Sequence, residues 1–184
     1  MKRRILALAL MVMAAIYGHS QDIWFTRNGT ISFHAGTSME DIDGVNNDVS
    51  SSINIKTGEM AFIILVKSFH FTRAKMEEHF NETYMESTAF PKSTFSGKIM
   101  DPGKVNFTKN GNYPVKAEGD LTLHGVTKKI TAPGTIMITD GKISAVATFK
   151  VLMSDYKIDI PGLVADKISK EVTIEMKCNY EKKN

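Results

Sequence analysis

The sequence predicts an all-β, antiparallel fold, and three observations carry that expectation. Apolar and polar residues alternate with period two over long stretches, turn dipeptides interrupt the alternation at short intervals, and only one segment shows helical spacing. Strict alternation gives a strand one dry face and one wet face. Parallel sheets, covered on both sides, read instead as continuous apolar runs.

Taken in order, strands are expected over 30–38, 47–56, 59–71, 92–100, 103–109, 112–124, 127–139, 142–154 and 170–181. The third contains the longest apolar run of the domain, Met60 to Val66, which is strand-sized. Val115, Ala117, Gly119, Leu121 and Leu123 alternate with Lys116, Glu118, Asp120 and Thr122. Ile130, Ala132, Gly134, Ile136 and Ile138 repeat the pattern, and so do Val172, Ile174, Met176 and Cys178. Asn110-Gly111 and Asp140-Gly141 read as hairpin turns, because both residue types tolerate positive φ. Thr57-Gly58, Asp101-Pro102-Gly103 and Pro161-Gly162 supply further breaks. Between the third and fourth strands, Thr72 to Met85 places Met76, Phe80 and Tyr84 four apart on one face. That spacing predicts a short amphipathic helix with Thr72 as its N-cap.

The N-terminus reads as a leader. Lys2, Arg3 and Arg4 precede an apolar run from Ile5 to Tyr17, and Gly18 and Ser20 stand three and one positions before Gln21. A basic start, an apolar middle and small residues at the cleavage point predict a secretory signal peptide over residues 1–20. The remaining domain, 21–184, is expected in the periplasm, with the medium as the alternative. Removing residues 1–20 takes three basic and no acidic residues from 23 and 20, which leaves 20 against 20. A balanced surface lacks the basic footprint of a nucleic-acid binder and any polybasic membrane patch. No stable membrane insertion is expected. Cys178 is the single cysteine, so no internal disulfide forms.

Two architectures satisfy one dry face per strand. Two sheets can interdigitate in a sandwich, or about eight strands can close into a barrel whose interior is filled or holds one small ligand. The inferred inner set includes Phe62, Ile64, Val66, Leu121, Leu123, Ile136, Ile138, Phe149, Val151, Val172, Ile174 and Met176. It carries no charge with which to fix a polar ligand. Small residues at Ala117, Gly119, Ala132, Gly134, Ala145 and Ala147 thin the wall of three consecutive strands. They admit either a ligand or bulky side chains from elsewhere. The helix either plugs a barrel end, lines a pocket mouth or packs outside the sheet.

Reactive constellations are sparse. His34, His70, His79 and His124 form no His-x-His or His-x3-His pair, and they read as surface histidines. Transition-metal sites need three or four converging ligands, so no metal is expected. Ser154-Asp-Tyr-Lys157 and Lys56-Thr57-Gly58 spell fragments of a penicillin-binding or β-lactamase signature. Their order is reversed and the Ser-Asp-Asn element is missing. Cys178 continues the inward alternation and reads as inert packing.

Gly119-Asp-Leu-Thr-Leu-His-Gly-Val-Thr-Lys128 resembles the signature of the YceI-like proteins. Lys67-Ser-Phe-His-Phe71, Glu78-His-Phe-Asn81, Tyr84-Met-Glu-Ser87 and Phe90-Pro91 are similar to the family's middle section, and Phe149 to Tyr156 to its C-terminal part. Phe69-His-Phe71 stands where the family often carries an Arg/Asp-rich stretch, which marks a divergent branch. The resemblance implies a lipocalin-like, up-and-down antiparallel β-barrel with one short helical insert, and no catalytic residues. It implies an exported carrier holding a long isoprenoid chain, a polyprenyl or quinone tail, in an apolar tunnel. Phe62, Ile64, Val66, Leu121, Leu123, Phe149 and Val151 are the expected wall, and Met76, Phe80 and Tyr84 the expected mouth. The partner is then the apolar lipid itself, with a homodimer left open. The alternatives are a secreted stress or adhesion protein with a filled barrel, or a small hydrolase using Ser154 or a histidine.

Overall fold

The computed structural model describes residues 22–182, and the expected leader lies outside them. Eight strands close into an antiparallel barrel in strict chain order. They are β1 (Ile23–Gly36), β2 (Asp43–Asn54), β3 (Glu59–Leu65), β4 (Lys92–Ile99), β5 (Gly111–Leu123), β6 (Val126–Thr139), β7 (Lys142–Leu152) and β8 (Ile168–Lys182). β8 pairs with β1 and completes the ring, so the barrel, not the sandwich, buries the dry faces. Among the described residues no helix is long and apolar enough to cross a membrane.

The two ends of the barrel differ. One end carries the short β2–β3 and β6–β7 turns and the β4–β5 connection. The Asp140-Gly141 turn there has φ of 49° and 74°, the left-handed pair a tight hairpin requires. The other end carries the β1–β2 loop, the long β3–β4 insert, the β5–β6 turn and the β7–β8 connection. The first end is packed shut. Val49, Ile53, Ile99, Ile136, Ile138, Ile143 and Cys178 are each at most 2% exposed there. Tyr180 and Ser51 share a hydrogen bond of 2.9 Å beside them.

Packing also answers the question of the small residues. The ring of Phe95 lies over Gly97 and Gly119, which pair directly across β4 and β5. A Cβ on Gly119 would stand 2.4 Å from the Ser96 carbonyl oxygen and 2.7 Å from that ring. The thin wall admits this chain's own side chains.

Several expected elements are corrected. Residues 103–109 are not a strand. Pro102–Lys104 form a 3-10 turn, and the Asn106 side chain accepts from the Thr108 backbone N–H at 3.0 Å. Val105 is buried with the core at the shut end, so an alternating pattern here is a plug rather than a ladder. Asn110-Gly111 is therefore no hairpin. The Asn110 side chain instead accepts from the Asp140 N–H at 2.9 Å and latches the plug to the β6–β7 turn. β1 begins at Ile23, before the expected residue 30, and runs through a bulge at Asn28-Gly29. Gly29 is needed there, since a Cβ would meet Cys178 Sγ at 2.6 Å.

β3 stops at Leu65 instead of 71 and passes into a 3-10 turn, Val66–Ser68. The helix, α1, spans Ala74–His79 and continues as a π-helical turn over Phe80–Tyr84. Its N-cap position is Arg73, with no side-chain cap, and not Thr72. The Glu77 carboxylate accepts from the Phe71 N–H at 3.2 Å nearby.

Candidate functional site

Hydrogen-bond ladders explain why one end is open. β2 and β3 pair only over Ser50–Ile53 and Met60–Ile63, and β6 and β7 only over Gly134–Thr139 and Lys142–Ala147. Both ladders lie toward the shut end. Toward the other end the strands splay, and the barrel widens at two seams. Buried backbone polar groups at such seams need other partners. At the first seam the Asn46 side chain donates to the Leu65 carbonyl at 2.9 Å, and Val45 and His70 exchange backbone bonds. The second seam is filled by a strap, residues 153–158, in which Met153, Tyr156 and Ile158 are buried.

The widened end encloses a cavity of about 410 Å³. Its strand-borne walls are apolar apart from Ser32 and Ser93. Charged side chains reach it only from the loops and α1, as Glu40, Arg73, Lys75 and Lys167, with His79 beside them. The cavity is thus a dry chamber with a polar rim.

The structure places Ile64, Leu121, Leu123, Phe149 and Val151 on the cavity wall, and Met76, Phe80 and Tyr84 on its insert side. α1 therefore lines the chamber and does not pack outside the sheet. Phe62 and Val66 do not line it. Phe62 packs edge-on against Phe95, at 6.1 Å between ring centroids, in the filled interior. Val66 is buried in the turn leaving β3, where its N–H donates to the Pro91 carbonyl at 3.0 Å. None of the six small wall residues lines the cavity.

Three aromatic wall residues escaped the reading of the strands. Phe33, Phe69 and Phe71 each contact Phe80, with centroids 5.4, 5.3 and 5.0 Å away. Phe33 and Phe80 stack at 21°, and the others tilt against them. Offset and edge-on pairs of this kind favour a fixed cluster. Phe80 thereby anchors the insert to the wall. The available signal was Phe69-His-Phe71, an alternation that continues past the end of β3.

His124 is the second correction. It is not a surface histidine: its side chain is 10% exposed. With φ of 46°, it forms the β5–β6 turn together with Gly125 at 71°. Its Nδ1 lies 3.2 Å from the Tyr156 carbonyl oxygen, and its Nε2 lies 2.7 Å from the Glu86 carboxylate. Both partners are acceptors, so each bond requires the proton on the ring nitrogen that faces it. Phe90 closes over the ring edge-on at 4.6 Å. One side chain thus pins the strap to the segment that follows the insert. Burial raises the Tyr84 phenol above its ordinary value, and burial with the nearby Asp155 charge raises that of Tyr156. Both phenols are therefore neutral, and both residues line the chamber.

Lys128 also follows the inward parity of β6, opposite Leu121. It reaches the second seam, where it forms an ion pair with Asp155 of the strap. The hydrolase fragments do not meet. Ser154 and Lys157 are exposed at the strap, while Lys56-Thr57-Gly58 turns at the shut end. Cys178 sits in the core, where burial pushes its thiol up to about 11 despite a hydrogen bond with Tyr180. Among the described residues no three His, Cys, Asp or Glu side chains gather as a metal site.

The YceI-like domain family matches residues 25–180. No curated protein sequence matches the chain. Among solved structures, a polyisoprenoid-binding domain from Saccharophagus degradans shares 16% identity and superposes with a TM-score of 0.75, covering 88% of this chain and 99% of its own. BcnA of Burkholderia cenocepacia gives 0.67 at 16% identity, over 83% of this chain and 96% of its own. A YceI protein of Campylobacter jejuni gives 0.57 at 20% identity, over 79% and 88%. At these identities the likeness concerns the fold.

Proposed function

From the premise that this chain belongs to the YceI-like domain family, we propose that it carries a long isoprenoid-type lipid, a polyprenyl or quinone tail, in the open half of its barrel. One observation supports the reading above the others: an apolar chamber of about 410 Å³ whose charges are confined to the rim. A dry chamber takes up an apolar chain by removing it from water. Each buried CH₂ contributes about 0.8 kcal/mol, offset in part by the entropy the flexible chain loses. No nucleophile, metal or charge is needed for that. We also propose the periplasm as its location, a reading supported by the leader expected over residues 1–20. A barrel filled to both ends, as a stress or adhesion protein would have, does not accord with the chamber.

Organic extraction of the purified protein followed by mass spectrometry tests the reading, with a long isoprenoid expected in the extract. A clean extract, together with no uptake of added polyprenol or quinone, would overturn it. Phe149→Asp introduces a charge into the wall and is expected to abolish lipid retention in a folded variant.

A further inference from the structure

One polar side chain stands where the inward pattern calls for an apolar one. β4 buries Ser93, Phe95 and Ile99 on a single face, so Ser93 points inward with them. It is 5% exposed, and it lines the chamber. Ser32 also lines the chamber, but it holds the outward parity of β1 between Ile31 and Phe33 and pairs with the exposed Glu175. The ladder gives the height of Ser93. Phe62 faces Phe95 across β3 and β4, and Ile64 faces Ser93 on the next inward rung. The first rung belongs to the filled interior, and both members of the second line the chamber. Ser93 therefore stands at the chamber floor on this side of the barrel.

Among the described residues its hydroxyl meets no hydrogen-bond partner, and it is not sealed in as the Trp24 indole nitrogen and the Asn81 side-chain oxygen are. It opens on the chamber. Water serves such a hydroxyl while the chamber is empty. A hydrocarbon packed against it expels that water and strands the group, at a cost in free energy. A ligand oxygen at this depth removes the cost, either by accepting from the hydroxyl or by donating to it. That oxygen must be uncharged. The cations lining the chamber, Arg73, Lys75 and Lys167, come from the insert and the β7–β8 connection and stay at the rim. A phosphate at the floor would give up its water with no counter-ion beside it.

We propose that Ser93 is the head-group subsite of the chamber. The lipid enters head first, an uncharged carbonyl or hydroxyl oxygen bonds to Ser93, and the isoprenoid tail runs toward the mouth. This rests on the carrier reading and deepens it, because it selects quinones and prenols over prenyl phosphates.

The test compares wild type with Ser93→Ala, using probes that share one chain length. They are geranylgeraniol, a menaquinone with a geranylgeranyl tail, geranylgeranyl phosphate and the oxygen-free hydrocarbon phytane. Affinities are read by displacement of N-phenyl-1-naphthylamine, a neutral fluorophore, and an unchanged thermal midpoint shows that the variant is folded. The substitution is expected to weaken geranylgeraniol and the menaquinone about fivefold. Phytane, which has no oxygen, and the phosphate, which keeps its head at the rim, are expected not to weaken. Loss for only one of the two neutral lipids would support the subsite and identify the oxygen as hydroxyl or carbonyl. A diazirine beside the head oxygen of the prenol is expected to mark the strands around Ile64 and Ser93. A mark confined to the rim loops and α1 would overturn the proposal. So would a substitution that changes none of the affinities or all of them alike, and in that case the carrier reading stands. If wild type binds none of the probes, the carrier reading fails and the subsite falls with it.

Discussion

The two halves of the barrel are made from the same strands, yet one is filled and the other is hollow. In the shut half the ladders run on, interrupted on β1 by the bulge at Gly29, and isoleucines from β2, β4, β6 and β7 share one core with Cys178. In the open half two ladders have ended, and non-strand segments close the gaps. Inward alternation continues through both. What separates core from chamber is the distance between walls, and that is set by where the backbone bonds stop. A barrel of eight strands has an interior just wide enough to be filled. Splaying it at two seams makes room for something else.

The sharpest test of this contrast is one methylene-rich deletion in each half. Ile136→Ala removes a side chain that is 1% exposed in the shut half. It is expected to cost about 2–5 kcal/mol in denaturant unfolding. Leu123→Ala faces space that is already open, and its expected cost is only about 1 kcal/mol. Equal costs would mean that the two halves pack alike.

Alkaline titration probes the shut half first. Cys178 is raised from an ordinary value near 9 to about 11 by burial. The unfolded chain therefore loses this proton first, and stability falls as pH rises from about 9 to about 11. The loss is about 2–3 kcal/mol, and it levels off once the folded thiol also ionises. Tyr180, raised chiefly by the same burial, adds to the decline at higher pH. Cys178→Ala should flatten the profile between those limits.

A smaller effect than that of the alkaline titration belongs to the clasp in the open half. His124→Ala removes the bonds to Tyr156 and Glu86. A cost of about 1–2 kcal/mol is expected. Amide exchange should quicken in residues 153–158 and around 84–90 while β8 near Cys178 stays protected. Uniform acceleration would show that the strap is not a separate unit.

Much of the shut half was legible in advance. β5 to β8 alternate without interruption, and their turn residues demand the φ values found at Asp140 and Gly141. The failures share a cause: a local pattern does not say what lies opposite. Val105 and Phe107 alternate like a strand but have no free edge to join, so they plug the barrel instead. The first strand was expected to start at residue 30, because nothing local shows that Asn28-Gly29 is a bulge that makes room for Cys178. At the site, residues on regular strands were found by parity. Phe33, Phe69 and Phe71 were not, because their meeting depends on how the insert folds back. Phe62 was placed on the wall because parity gives the face and not the height along the barrel. The His124 clasp joins three segments far apart in sequence, and no spacing announces it.

The ring closure between the first and last strands has one more consequence. Trp24 lies beside Lys182, at the start of β1 and the end of β8. Both chain ends therefore leave the barrel together, at the pole opposite the mouth. A tether, reporter or neighbouring domain joined at either terminus would hang behind the protein and leave the entrance clear. The fold can be immobilised on a sensor surface by its ends with the chamber mouth left facing solution.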